Sequence, residues 1–368
     1  MALPNAIGLK TAEWQGLLRF YYKGETMSEL KDRQNITVLA IESSCDETAA
    51  AVVRNGRQVL SNVIASQIEI HRRFGGVVPE IASRNHLLSI ESVVDEALKK
   101  AGVTKDGIDA IAVTYGAGLL GALLVGVSYA KALAYSWQKP LYAVSHVEGH
   151  IAANYLESDL EPPYLCMLCS GGHTAVLSVE DYIHSTLIAS TRDDAAGEAF
   201  DKVARVLSLP YPGGPEIEKL AKEGKPSIEF PHPKFKGKEL YFSYSGLKTA
   251  VINYVHNALQ RGEEIGRADL ASSFQEAAIY QMSTVAASAQ KRTGLKKVAI
   301  AGGVSANKRL REVFDEIFTP LGVKVYYPKL CYCTDNAAMI GGACYFMIKK
   351  GIKQADMSLD AKANVKLG

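Results

Sequence analysis

His146-Val-Glu-Gly-His150 sets two imidazoles four residues apart. On a helix that spacing puts both on one face, where they can ligate a single ion. Two histidines leave such a site incomplete. Asp335, in Cys333-Thr-Asp-Asn336, lies in a short loop ahead of a run of small residues. A carboxylate there can close the shell and leave positions open to water or substrate. The competing role for Asp335 or Asn336 is to cap a helix starting at Ala337. By ligand type a His/His/Asp set suits Fe2+ or Zn2+ better than Mg2+. Spacing and ligand type by themselves favour the cap over the metal, and leave Fe2+, Zn2+ and Mg2+ as candidate ions. A zinc peptidase of the His-Glu-x-x-His type is disfavoured, because Val147 stands where the catalytic Glu belongs and Glu148 projects elsewhere.

A second constellation suits a nucleotide. Gly302-Gly303 and Ser305-Ala-Asn307 fall where a strand turns into a helix, so backbone can approach a ligand closely and Asn307 can bond an adenine or ribose edge. Asp193-Asp194 can cap the next helix and leave Asp201, about two turns on, facing a ribose. Tyr211 to Pro215 reads as a rigid loop over the ligand. Each of these has a purely structural alternative as a turn or a cap. Neither a Walker phosphate loop nor a dinucleotide fingerprint is present.

The elements that must position these groups alternate. Strands are predicted over 36–41, 49–53, 58–65, 108–113, 141–144, 164–168, 175–179, 297–300 and 323–327. Helices are predicted over 79–100, 122–134, 194–206, 269–289, from Asn307 onwards and over 337–349. Residues 210–215 break the chain, and 221–240 form a Pro/Gly/Lys-rich excursion. This is an α/β pattern with ligands at the carboxyl ends of strands. A strand, a small-polar turn and a second strand occur twice, near 36–53 and near 164–179. Two such hairpins facing across a cleft describe an actin-like ATPase core, and two unrelated hairpins are the alternative.

Composition narrows the class without naming a reaction. The chain has 368 residues, enough for two domains. At 48% hydrophobic and 22% charged it is a globular protein with a core. A formal net charge of +2 excludes a polybasic mode of nucleic-acid binding, though local basic groups remain. Those are His71-Arg72-Arg73 with Arg84, Lys234 with Lys236 and Lys238, and Lys308-Arg309 with Arg311, each with an ordinary solvated face as the alternative. Cys166 and Cys169 lie in an apolar run and read as reduced, buried thiols of a cytoplasmic protein. The aromatic patch Trp14 to Tyr22 is too short to span a membrane and lacks a signal-peptide layout. Residues 1–35 are expected to be an N-terminal extension, with Met27 as an alternative initiator.

Taken together, Ile41-Glu-Ser-Ser-Cys-Asp-Glu-Thr48, Gly75 to Glu80, His146 to His150, Ser170-Gly-Gly-His-Thr174, Asp193 to Asp201, Tyr211 to Pro215, Phe242 to Lys248, Ala301 to Asn307 and Cys333 to Asn336 closely resemble the bacterial tRNA N6-adenosine threonylcarbamoyltransferase family (TsaD/Kae/Qri/Gcp). The resemblance runs from about Ile36 to the last thirty residues. It implies an ASKHA fold (actin-like ATPase, Hsp70, sugar kinase) with two lobes around a nucleotide cleft. The first lobe would comprise 36–145 plus about 345–368, and the second 146–344. It implies that His146, His150 and Asp335 hold one divalent metal per subunit, Fe2+ first, with Zn2+ or Mg2+ as alternatives. Leu168, Cys169, Ser170, Gly171, Gly172, Asp201, Gly214 and Asn307 would cradle the donor, with Glu218 near its ribose. Asp46 and Glu47 would orient water, metal or the attacking amine, either being a candidate base.

The implied donor is threonylcarbamoyl-AMP, with ATP or ADP as alternative occupants of the cleft. The acceptor is the N6 amine of adenosine 37 in tRNAs reading codons that begin with A. The implied partners are tRNA, a degenerate paralogue (TsaB-like), a small P-loop ATPase (TsaE-like) and a separate synthase supplying the donor (TsaC-like), with no membrane. Where the family commonly has Gly-Pro-Gly this chain has Gly116-Ala117-Gly118, and Ser43 stands where Thr is usual; neither change removes a reactive group. The rival reading is an ATP-binding regulatory or chaperone-like protein of the same fold.

Overall fold

The computed structural model describes residues 27–232 and 239–367. The aromatic patch near Trp14 and the lysines 234, 236 and 238 lie outside the described residues. Residues from Met27 belong to the body of the protein rather than to an appendage. Leu30 is buried in a core cluster, Lys349 Nζ donates to Lys31 O at 2.7 Å, and Arg33 pairs with Asp109.

Among the described residues, ten strands form two five-stranded sheets of the same topology. In the first, β1 (Thr37–Glu42), β2 (Glu47–Arg54) and β3 (Gln58–Ser66) run as an antiparallel meander, and β4 (Ala110–Gly116) and β5 (Leu141–Ser145) add in parallel beyond β1. In the second, β6 (Tyr164–Cys169), β7 (Thr174–Val179) and β8 (Ser185–Ser190) repeat the meander, and β9 (Lys297–Ala301) and β10 (Lys324–Tyr326) add in parallel beyond β6. The duplicated hairpin legible in the sequence is therefore the centre of a duplicated sheet. Every residue of β1 and β6 is buried, as expected for strands covered on both faces.

Alternation along the strands sorts the core into three layers. Leu39 and Ile41 face helices Pro79–Ala101 and Leu120–Trp137 on one outer side. Leu165, Met167 and Cys169 face helices Ala196–Val206 and Arg267–Thr293 on the other. Val38, Ala40, Cys166 and Leu168 point into a central layer that holds helices His146–Ala152 and Ala337–Lys349. The boundary expected near 345 falls inside the last of these helices. Its Gly341 sits so close to Val53 and Ala40 that an added Cβ would lie 2.8 Å from the Val53 side chain.

Several regular elements lacked a sequence expectation, among them β8 and helices Met27–Asp32, Ile68–Arg72, Gly213–Ala221 and Ser245–Gln260. The segment 210–215 does not simply break the chain, because Pro212 is the N-cap of the helix that begins at Gly213. Asp193 and Asp194 do not cap the helix that follows them. Asp193 Oδ1 accepts from the Tyr244 and Ser245 amides, capping the start of Ser245–Gln260 instead, while Asp194 pairs with Lys202 and Lys248.

Candidate metal centre and donor cleft

His146 and His150 occupy successive turns of the helix that follows β5, and Asp335 arrives from the loop ahead of helix Ala337–Lys349. Asn336, not Asp335, caps that helix: its Oδ1 accepts from the Met339 amide at 3.0 Å, while its Nδ2 donates to Tyr332 O and Thr334 O. The cap leaves the Asp335 carboxylate facing the histidines. Asp335 Oδ1 is 3.4 Å from both His146 Nε2 and His150 Nε2. Ligands at about 2.1 Å in tetrahedral directions from one ion sit roughly 3.4 Å apart, so this spacing fits a divalent ion. Both His150 ring nitrogens are buried with no hydrogen-bond partner. A buried imidazole left in that state is costly unless something else takes its lone pair. The cluster is the one group of three ligating side chains found among the described residues.

Burial alone would raise the Asp335 carboxyl, but the two histidines more than offset it and hold the group well below the usual carboxylate range. Burial would lower His146, yet Asp335 and Glu42 against its ring raise it well above an ordinary histidine. Glu42, at the end of β1 and 0 % exposed, was not singled out from the sequence. Its Oε2 is 3.0 Å from His146 Nδ1. Burial pushes Glu42 up, and His146 beside it reverses the sign and keeps it ionised. A strand-ending acid at a polar turn carries no signal of such a contact; only the pairing of β1 beside β4 and β5 brings it to the histidine.

Two cavities meet at Asp335. One, of about 260 Å³, lies between the lobes. The first lobe contributes Asp46 and Glu47, and the second contributes Ser170, Gly171, Asp201, Gly214, Glu218 and Asn307. The other, of about 580 Å³, contains His146 and His150 and is shared with Ser170, Gly171, Asp201 and Tyr211. Gly172 lines only this second cavity. Leu168 and Cys169 line neither, being paired within the sheet and buried on its opposite faces. Residues three apart on a strand point oppositely, so Cys166 and Cys169 also do not pair; both are free, buried thiols whose pKa burial pushes up.

The cleft residues hold one another in place. Asp201 Oδ1 accepts from the Gly213 amide at 2.7 Å, and burial raises its carboxyl. Asn307 Oδ1 caps helix Lys308–Phe318 through Leu310 N at 2.9 Å, while its Nδ2 donates to Gln275 Oε1. Glu218 accepts from Lys308 N at 3.3 Å. Gly171 and Gly214 have open space where a side chain would stand. Gly302 has φ +89°, and an added Cβ would sit 2.5 Å from Cys169 O, so glycine is required there. Tyr211 Oη donates to Asp46 Oδ2 at 3.3 Å across the cleft.

Glu47 lies at the start of β2, with Ser66 Oγ donating to its Oε1 and its Oε2 buried without a partner. Burial raises its carboxyl to about 7, and Asp46 is raised in the same direction by burial and then by Asp335. His173, in the β6–β7 turn, is pushed down to about 4 by burial and by the other two histidines. Most basic groups expected to face a polyanion are already engaged. Arg84 pairs with Glu80, Arg309 with Glu276, and Lys308 with Glu312. Arg311 donates to Ser305 O and Pro328 O, Arg72 pairs with Glu69, and His71 is buried. Lys202 and Arg205, which the sequence does not mark, line the larger cavity and are engaged too, Lys202 with Asp194 and Glu198 and Arg205 with Gly75 O.

Fold and site together define a two-lobed ASKHA-like protein with a His/His/carboxylate cluster where its two cavities meet. The described residues superpose on full-length HypF with a TM-score of 0.59 at 15% identity, over 86% of this chain and 46% of that one. They superpose on (R)-2-hydroxyglutaryl-CoA dehydratase component A of Acidaminococcus fermentans with a TM-score of 0.52 at 15% identity, over 86% and 100%. At that identity the likeness concerns the fold alone. The chain belongs to the tRNA N6-adenosine threonylcarbamoyltransferase family, whose sequence model matches residues 58–342. It is 58% identical to a protein of that description from Clostridium perfringens over 333 residues, covering 90% of this chain and 98% of the relative. A Clostridium beijerinckii relative is 55% identical over the same shares. No helix among the described residues is long and apolar enough to cross a membrane.

Proposed function

We infer that the protein works as its family's name states: it transfers a threonylcarbamoyl group to the N6 amine of adenosine 37 in tRNA, forming t6A37. The donor is threonylcarbamoyl-AMP and the leaving group is AMP. The observation that carries the site assignment is the convergence of His146, His150 and Asp335 at the junction of the two cavities. An ATP-binding regulatory protein of the same fold would have no use for that cluster.

The donor's nucleotide occupies the inter-lobe cavity, against Ser170, Gly171, Asp201, Gly214, Glu218 and Asn307. Asp201 and Glu218 have carboxylate oxygens suited to ribose hydroxyls. The acceptor adenosine enters from the wider cavity, splayed out of its loop at modest cost. Its amine nitrogen bonds to the carbamoyl carbonyl carbon, the bond from that carbon to the phosphate oxygen breaks, and AMP departs with the electron pair. An anhydride with AMP is already activated, so the protein's main work is alignment. His146, His150 and Asp335 hold the metal, Fe2+ before Zn2+ or Mg2+. When bound it supplies a Lewis acid for a phosphate or carbamoyl oxygen. Glu47, with its carboxyl near neutrality, accepts the proton that the amine loses, and Asp46 holds Tyr211 across the cleft. The partners are tRNA, a degenerate paralogue, a P-loop ATPase and the synthase that makes the donor.

The test is reconstitution with those accessory proteins, unmodified tRNA and threonylcarbamoyl-AMP, followed by digestion and mass detection of the nucleoside. Product is expected from metal-replete protein. Its absence from the wild type under those conditions would overturn the assignment.

A further inference from the structure

Glu42 accepts hydrogen bonds at both oxygens. The Ser44 amide donates to Oε1 at 2.5 Å, and Thr114 Oγ1 donates to Oε2 at 2.6 Å. His146 Nδ1 lies 3.0 Å from the same Oε2. With the Ser44 amide and the Thr114 hydroxyl already donating to the two carboxylate oxygens, a ring N–H is the group that fits opposite Oε2, and Nδ1 is the donor. We propose that Glu42 is a positioning residue that fixes His146 as its Nδ1–H tautomer and so aims the Nε2 lone pair at the point shared with His150 and Asp335. The proposal rests on the reading of His146 as a metal ligand. Partners of this kind set both the tautomer and the orientation of a ligating imidazole.

The surroundings of Glu42 make an isosteric replacement informative. In Glu42→Gln one oxygen becomes an NH2. The Ser44 amide is backbone and can only donate, so the remaining oxygen must turn to it. The new NH2 then faces His146 Nδ1 and Thr114 Oγ1. The threonine hydroxyl can rotate to accept. The imidazole can accept at Nδ1 only by carrying its proton on Nε2, where the ion belongs. Ser44 Oγ, also 3.0 Å from His146 Nδ1, is the rival partner. A hydroxyl can either donate or accept, so on its own it would leave the tautomer open.

The experiment titrates purified, metal-stripped full chain with Zn2+ against a competing chelator, and records 15N histidine spectra of the Zn2+-loaded protein. In the wild type a hydrogen-bonded Nδ1–H is expected at His146, assigned by its loss in His146→Gln. Glu42→Gln should weaken Zn2+ binding by about 10–100-fold and remove the hydrogen-bonded signal at saturating Zn2+. Ser44→Ala should keep both the signal and the wild-type affinity. A wild type that binds no Zn2+ rejects the metal reading itself. A wild type that binds, with a Glu42→Gln variant of equal affinity and unchanged Nδ1–H, rejects the role of Glu42 alone. Should Glu42→Gln fail to fold, the wild type and Ser44→Ala still decide. A Zn2+-loaded wild type without a proton on His146 Nδ1, or a Ser44→Ala variant that loses it, overturns the proposal.

Discussion

Glu47 is the residue whose environment makes the sharpest pH prediction. Burial raises its carboxyl from an ordinary 4.5 to about 7. A base must be ionised to accept a proton, so transfer by the wild type should rise through about pH 7 and level off above it. Glu47→Gln should remove that rise and lower the rate by about 10²–10⁴-fold, with metal content unchanged. A rate that stays flat in the wild type between pH 6 and 8, with the chemical step limiting, would count against the role. Stability moves the other way. A carboxyl with a raised folded-state pKa contributes stability that is complete below about 4.5 and is lost as pH rises through about 7. Glu47→Gln should therefore resist denaturant better than the wild type above pH 7, and that advantage should disappear below 4.5. For the metal, His150→Ala removes two buried nitrogens that make no well-formed hydrogen bond, Nε2 having only Asp335 Oδ1 at 3.4 Å. Loss of bound metal is expected by elemental analysis.

Among elements, the one that most directly shapes the site is the N-terminus of helix Ala337–Lys349. Asn336 is fully buried, caps Met339, and ties the preceding loop through Tyr332 O and Thr334 O. Asn336→Ala should cost on the order of 1–2 kcal/mol for the cap, and more for the loop carbonyls left unpaired. Because Asp335 is the adjacent residue, Zn2+ affinity should fall along with stability. A variant that lost stability but bound Zn2+ as tightly as the wild type would show that Asp335 is held by something else. Most elements around the site were legible because they are simple signals. β1 and β6 are continuous apolar runs closed by polar glycine or serine turns, and His146 and His150 have helical spacing. Others were not. β8 is partly exposed along most of its length and shows no clean alternation. Helix Gly213–Ala221 opens on Pro-Gly-Gly-Pro, which reads as a breaker, although proline is tolerated in a first helical turn. Helix Ser245–Gln260 buries only Leu247, Val251 and Ala258. The third member of the cluster lies far along the chain, so residue spacing could not join Asp335 to the histidines; the family resemblance did. Glu42 had neither spacing nor a role to mark it.

At the scale of the whole molecule, the duplicated sheets face each other through a shared interior rather than through a solvated hinge alone. The central layer takes Val38, Ala40 and Ala112 from one sheet, Cys166, Leu168 and Ala299 from the other, and Ala338, Met339 and Ile340 from the helix between them. Unfolding one lobe would strip that layer from its partner and expose apolar surface on both. The prediction is a single calorimetric transition for the metal-free protein, with the calorimetric and van't Hoff enthalpies in agreement. The inter-lobe cavity adds a second expectation. Its lining comes from Asp46 and Glu47 on one side and Gly214, Glu218 and Asn307 on the other, so a nucleotide seated there binds only when both lobes are folded. AMP or a non-hydrolysable donor analogue at a hundred times its Kd should stabilise the whole protein by about 2.7 kcal/mol and move the single transition upward without splitting it. Two resolved transitions, only one of them shifted by ligand, would mean that the lobes fold independently and that the nucleotide rests on one of them. A single transition that no adenine nucleotide moves would remove the donor from this cavity while leaving the shared core intact.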